Sequence, residues 1–169
     1  MIILIMGASH TGKTLLAQKL MERYKIPYLS VDHLKMGLIR SGNTSLTPED
    51  DEGLTGYLWP IVKEIIKTAV ENRQSLIIEG CYFPHTWKND LEESYLKDVH
   101  HVCLVMSKRY IEENFNSIKS HANAIEQRLH DDVDKEELIR DNEKILNECI
   151  NNNVNYILID TEYNVDFHV

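Results

Sequence analysis

Near the start of the chain, Gly7, Ala8, Ser9, His10, Thr11, Gly12, Lys13 and Thr14 fit the pattern G-x-x-x-x-G-K-[ST]. Each part of the pattern has a chemical use. Successive backbone N–H groups of such a loop point inward at phosphate oxygens, and a helix that follows adds the positive end of its dipole. Lys13 brings a point charge to the β- and γ-phosphates, and the Thr14 hydroxyl is a ligand for Mg²⁺. The glycines permit a backbone approach that a side chain would obstruct. Gly7 through Leu15 are therefore the expected nucleotide cradle; a Gly-rich turn carrying a surface lysine is the plain alternative.

Other reactive residue types do not converge in the same way. Cys81, Cys103 and Cys149 are an odd number at wide spacing, with no C-x-x-C pair to suggest zinc or disulfide exchange. Cys103 and Cys149 fall in apolar patterns and are expected to be core thiols. His100 and His101 are neighbours on an expected strand, so they face opposite sides and do not chelate one ion. His121 and His130 fall in a polar segment where solvent exposure accounts for them. Trp59, Trp87, Tyr57, Tyr82 and Phe83 gather around the segments expected to border an acceptor pocket, for base or sugar stacking or for core packing.

The cradle must be positioned by regular elements, and the hydrophobic pattern supplies them. The runs "IILIM" (2–6), "SLIIE" (75–79), "VHHVCLVM" (99–106) and "VNYILID" (154–160) each have the length of a strand buried on both faces, and "PYLSVD" (27–32) is a fifth candidate. Helical spacing fills the stretches between them, an alternation that predicts an α/β domain with crossover helices. Leu15, Leu16, Lys19, Leu20 and Arg23 suit the helix after the loop. Ile61, Val62, Ile65, Ile66, Ala69 and Val70 form one face of another. Thr47 reads as the N-cap of that segment, with Gly53, Gly56 and Pro60 breaking or kinking it. Asp134 with Glu137 reads as a capping box, and Asn151 to Asn153 as the end of the helix it opens.

A chain of 169 residues with 43% hydrophobic content is expected to form one domain spanning 1–169. Its formal net charge of -9 argues against a general binder of nucleic acid or acidic membrane. No basic leader precedes Gly7 and no apolar run approaches a membrane span, so a reducing, cytoplasmic setting is expected.

The loop in its strand–loop–helix context resembles the P-loop kinase superfamily, specifically small-molecule and nucleotide kinases of adenylate-kinase-like topology. That resemblance implies a three-layer fold: a five-stranded parallel sheet in order 2-3-1-4-5, a substrate-binding helical segment after the second strand, and a helical lid between the fourth and fifth strands, here 107–133. It places Asp32 as the base that takes the acceptor hydroxyl's proton, or as holder of a Mg²⁺ water, and Arg40 as a clamp on a substrate carboxylate or phosphate. A helix cap and a solvated helix end are the competing accounts. It places Glu79 in a Walker-B-like position, to hold Mg²⁺ or orient substrate, with Gly80 leaving room for a ligand. Glu79, Gly80 and Pro84 are also similar to an E-G-x-x-x-P stretch of kinases acting on 2-phosphoglycerate. Lid arginines close over ATP in this superfamily, and Arg128, then Arg140 and Arg109, are the candidates. "EGCYFPHTW" lacks the arginine that adenylate kinases carry after the third strand.

The function these residues imply is transfer of the γ-phosphoryl group of ATP, with Mg²⁺, to a small metabolite. The alternatives are a nucleoside monophosphate kinase and a nucleotide-binding switch that transfers nothing. The expected partners are ATP and a small-molecule acceptor, with no nucleic acid and no membrane, in a monomer or homodimer.

Overall fold

In the computed structural model, which describes residues 1–121 and 133–169, five parallel strands form one sheet in the order β2-β3-β1-β4-β5. The strands are β1 (Ile2–Gly7), β2 (Tyr28–Ser30), β3 (Leu76–Glu79), β4 (Val99–Met106) and β5 (Tyr156–Ile159). The helices are α1 (Lys13–Tyr24), α2 (Val31–Arg40), α3 (Asp51–Glu71), the short α4 (Glu93–Leu96), α5 (Lys108–His121) and α6 (Lys135–Asn151). This is the sheet order that the resemblance implies.

The central strand shows why the pattern folds this way. β1 is apolar at every position and buried throughout, so its alternating side chains feed two cores. Ile2, Leu4 and Met6 pack with Leu54, Leu58, Val62 and Ile66 of α3, while Ile3 and Ile5 pack with Leu16, Ala17 and Leu20 of α1. Each fully buried aliphatic side chain contributes on the order of 2 kcal/mol. Helices on both faces of the sheet make the third layer.

Three boundaries differ from the sequence reading. α3 begins after Asp50, whose carboxylate accepts from the Gly53 N–H at 3.0 Å, so Asp50 rather than Thr47 is the cap. The helix then runs unbroken through Gly53, Gly56 and Pro60. Pro60 is exposed, so the Gly56 carbonyl that its missing N–H leaves over can meet water, and the apolar stripe from Leu54 to Ala69 carries the helix past it. The third difference is that "PYLSVD" yields only three residues of strand before α2 begins at Val31, so Asp32 lies in the first turn of a helix. At α6 the expected cap is present: the Asp134 carboxylate accepts from Glu137 N–H at 2.7 Å. The end is also as expected, with Asn153 at a φ of 50°. No helix among the described residues is long and apolar enough to cross a membrane.

Candidate active site

The loop between β1 and α1 closes on itself. Gly7 has a φ of 139°, and a Cβ there would overlap the Leu104 carbonyl of the neighbouring strand. His10 also has a left-handed φ, of 65°, a region in which histidine is enriched among non-glycine residues. The Thr11 hydroxyl donates to the Ala8 carbonyl at 2.8 Å, and Lys13 Nζ donates to the same oxygen at 2.7 Å. Lys13 is thus buried, at 6% exposure, with further N–H donors left on its ammonium for a phosphate. Burial works against its charge, but the charges of Cys81, Glu79 and Asp32 outweigh that and raise its pKa above the ordinary lysine value. Ser9 Oγ lies 3.8 Å from Cys81 Sγ. Leu15 points outward at 38% exposure, so its side chain is not part of the cradle.

Sheet register brings the first acid to this loop. β3 lies beside β1 with Ile5 opposite Glu79, and the Gly80 N–H donates to the Ile5 carbonyl at 3.1 Å. Glu79, only 1% exposed, accepts from the Thr14 hydroxyl at 3.4 Å. A hydroxyl and a carboxylate 65 residues apart are therefore joined beside a buried lysine. Among the described residues no three His, Cys, Asp or Glu side chains converge as a metal cage. Mg²⁺ does not need one, since it is typically held by one or two carboxylates, waters and the nucleotide phosphates; Thr14 and Glu79 fit that donor set. Gly80 is tight against Val31 Cβ, 2.8 Å from where its own Cβ would be, so its small size serves the packing of β3 on α2.

The second acid stands in a polar network. Ser30 pairs with Glu79 across β2 and β3, which puts Asp32 just beyond, in the first turn of α2. Asp32 Oδ1 forms a 2.7 Å ion pair with Lys35, and Lys35 Nζ also donates to the Tyr82 hydroxyl at 2.8 Å and lies 5.0 Å from that ring's centroid. The charge of Asp51, at the start of α3, also bears on the Tyr82 hydroxyl. Burial first, then the charges of Asp32, Cys81 and Asp51, push the Tyr82 hydroxyl far above the ordinary phenol value. Asp51 is raised, chiefly by burial, with Lys35 and Tyr82 opposing the rise. Asp32 is thus not the helix cap; Ser30 occupies that position.

The remaining candidates are dispersed. Arg40 is exposed at the far end of α2, about 12 Å along the helix axis from Asp32 at 1.5 Å per residue. Arg140 is exposed on α6. Arg109 is paired at the surface with Asp160. Arg128 and His130 lie outside the described residues, as does the lid candidate beyond residue 121; its first part is the continuous helix α5. Of the aromatics, Tyr82 belongs to the polar network, whereas Trp59, Phe83 and Trp87 are buried in the core, with Trp59 Nε1 donating to Asp90 at 2.7 Å. His100 is exposed and His101 buried, on opposite faces as expected.

Sequence reasoning passed over Lys35, Asp51 and Tyr163. Lys35 was detectable as the i+3 partner of Asp32 on a helix. Tyr163 follows β5 and carried no local signal. Its hydroxyl donates to the Thr11 carbonyl at 3.2 Å and to the Gly12 carbonyl at 3.5 Å, so the tail after β5 braces the outside of the loop.

No family model matches the sequence, and no curated protein matches it. Among solved structures the chain is similar to a gluconokinase from Sinorhizobium meliloti, at TM-score 0.54 and 15% identity, covering 96% of this chain and 83% of that one. A protein from Chloroflexus aurantiacus, provisionally named a kinase, superposes at TM-score 0.58 with 20% identity, covering 98% and 91% of the two chains. A shikimate kinase from Bacteroides thetaiotaomicron superposes at TM-score 0.54 with 12% identity over 94% and 85%. These likenesses show a shared fold, the P-loop kinase fold, with the strand order found here.

Proposed function

We propose that this chain is a P-loop kinase that transfers the γ-phosphoryl group of ATP to a hydroxyl of a small molecule. The observation that carries the reading is the contact between the Thr14 hydroxyl and the buried Glu79 carboxylate beside Lys13. A turn that merely linked a strand to a helix would have no use for a buried carboxylate, a hydroxyl and an ammonium at one point, because each is costly to desolvate. The gluconokinase and shikimate kinase folds above support the class of reaction and leave the acceptor open.

In this reading the loop amides and Lys13 hold and neutralise the β- and γ-phosphates. Thr14 and Glu79 would hold Mg²⁺, which would supply charge neutralisation when bound. Asp32 takes the proton of the acceptor hydroxyl as its oxygen bonds to the γ-phosphorus and the bond to the bridging oxygen of ADP breaks. Lys35 orients Asp32 through their ion pair. Arg128 is the proposed lid arginine, on sequence order, with Arg140 behind it; both would offset charge on the transferring group.

ADP release from MgATP, measured over a panel of sugars, sugar acids, nucleosides and nucleoside monophosphates, tests this. Acceptor-dependent release that falls at least about a hundredfold in Lys13→Ala and Asp32→Asn, and that stops when Mg²⁺ is chelated, is the expected result. Nucleotide binding without stimulation by any acceptor would turn the reading toward a switch. Stimulation by nucleoside monophosphates that survives Asp32→Asn would turn it toward a nucleotide kinase, whose acceptor phosphate needs no strong base.

A further inference from the structure

Tyr163 bears on how the phosphate loop is held ready, an inference that rests on the nucleotide-binding part of the kinase reading above. The chain after β5 runs to α1, the helix that the loop opens. Val165 is buried there, at 4% exposure, in the apolar cluster that contains Leu16, Ala17 and Leu20 of α1. Arg23, in the last turn of α1, pairs with Asp166 at 2.8 Å and donates to the Phe167 carbonyl at 3.0 Å. The Val169 N–H donates to the Tyr24 hydroxyl at 3.3 Å. Fastened in this way to the far end of α1, the segment carries the half-buried Tyr163 at the near end. Its hydroxyl donates to the Thr11 carbonyl at 3.2 Å, with the Gly12 carbonyl as a longer branch at 3.5 Å. The approach depends on glycine, since a Cβ on Gly12 would overlap the hydroxyl.

The two carbonyls belong to the peptide groups whose N–H groups are those of Gly12 and Lys13. In a trans peptide the C=O and the N–H point to opposite sides, and no peptide bond here is cis. A hydroxyl that holds the carbonyls on one side of the loop therefore directs the Gly12 and Lys13 N–H groups to the other. These N–H groups open α1, where a backbone N–H has no carbonyl of its own helix to bond. The Gly12 carbonyl is fixed from the helix as well, by the Leu16 N–H at 3.0 Å. An O–H donated to a carbonyl also polarises its peptide, which makes the N–H of that peptide a stronger donor. We propose that Tyr163 is a positioning residue for polyphosphate: its hydroxyl fixes and polarises the two peptides on either side of Gly12, so that their N–H groups meet the nucleotide's phosphates already oriented. It acts on the phosphates through the loop backbone, not on the base.

Binding of inorganic pyrophosphate and of MgADP to the full chain, measured by calorimetry for wild type and Tyr163→Phe, tests this. The variant keeps the ring and loses only the hydroxyl, and urea unfolding of both proteins reads the fold separately. The expected result is a Kd that rises about three- to tenfold for both ligands, by the same factor, because pyrophosphate has phosphates and no base. A hydroxyl that only stabilised the fold would lower the urea midpoint and leave both Kd values alone, which overturns the inference. So does a loss confined to MgADP, which would make Tyr163 a contact of the base or sugar. Pyrophosphate that fails to bind while MgADP binds the wild type also overturns it, and in each of these cases nucleotide binding stands. A wild-type chain that binds neither ligand removes the nucleotide reading, and this inference with it.

Discussion

Gly12 concentrates two constraints on one residue. Its φ of 84° is in the left-handed region, and a Cβ there would overlap the Tyr163 hydroxyl. The first constraint is local and costs an L-residue about 1–2 kcal/mol; the second depends on a side chain more than 150 positions away. Gly12→Ala should therefore destabilise the fold by about 2–3 kcal/mol in urea unfolding, and Gly12→Ala with Tyr163→Ala should recover only the steric part. Complete recovery would mean that the backbone angle carries no strain. The same division separates what was legible at this scale. Lys13 and Thr14 stood out in the sequence because the pattern that contains them depends on spacing within one loop. Glu79 was found through its strand-end position. Lys35 escaped notice because its importance comes from Tyr82 and Asp32 meeting around it.

At the scale of elements, the attachment of α6 to β4 rests on a buried amide. Asn142, 1% exposed, accepts from the Met106 N–H at 2.8 Å through Oδ1 and donates to the Leu138 carbonyl at 2.8 Å. It completes the hydrogen bonding at the end of β4, where the chain leaves the sheet for α5. Asn142→Leu preserves volume but leaves the Met106 N–H buried without an acceptor, at a cost of about 2 kcal/mol. A fall in Tm of about 4–8 °C in a thermal melt is expected, whereas an unchanged Tm would show that water or another acceptor reaches that N–H. The elements themselves were largely foreseeable, since a fully apolar run of strand length predicts its own burial. α3 was not: local breakers at Gly53, Gly56 and Pro60 argued against one long helix, and only packing of its apolar stripe against β1 outweighs them.

Over the whole molecule, His101 links stability to pH. It is 9% exposed, edge-on to Trp87, with Nε2 accepting from the Asn155 N–H at 3.3 Å. Burial, helped by the charges of Lys88 and His100, lowers its pKa to about 4 from an ordinary 6.5. The neutral ring is the folded form, so the unfolded chain binds the extra proton between these values. The stability His101 permits is complete above pH about 6.5 and is lost as pH falls toward 4. The stability difference between wild type and His101→Gln should shift against wild type by about 2 kcal/mol from pH 7 to pH 4.5, read from urea unfolding at each pH. Asp51 and Asp141, both raised mainly by burial, act in the opposite direction, which is why the difference and not the wild-type slope is the readout. Asp166, held down to about 2 by its hydrogen bond with Arg23, contributes only at more acid pH. A difference that is flat with pH would mean that His101 titrates normally in the folded chain.

By itself the sequence determined the α/β alternation, the glycine-rich loop between β1 and α1 and the caps of α6, because each of these is encoded by neighbours within a turn or a strand length. Tertiary structure alone decided that Thr14 meets Glu79, that Lys35 joins Asp32 to Tyr82, and that Tyr163 braces the loop. Those contacts join residues from different strands and helices, and their distances follow from sheet order and register, which no local pattern of residue types encodes.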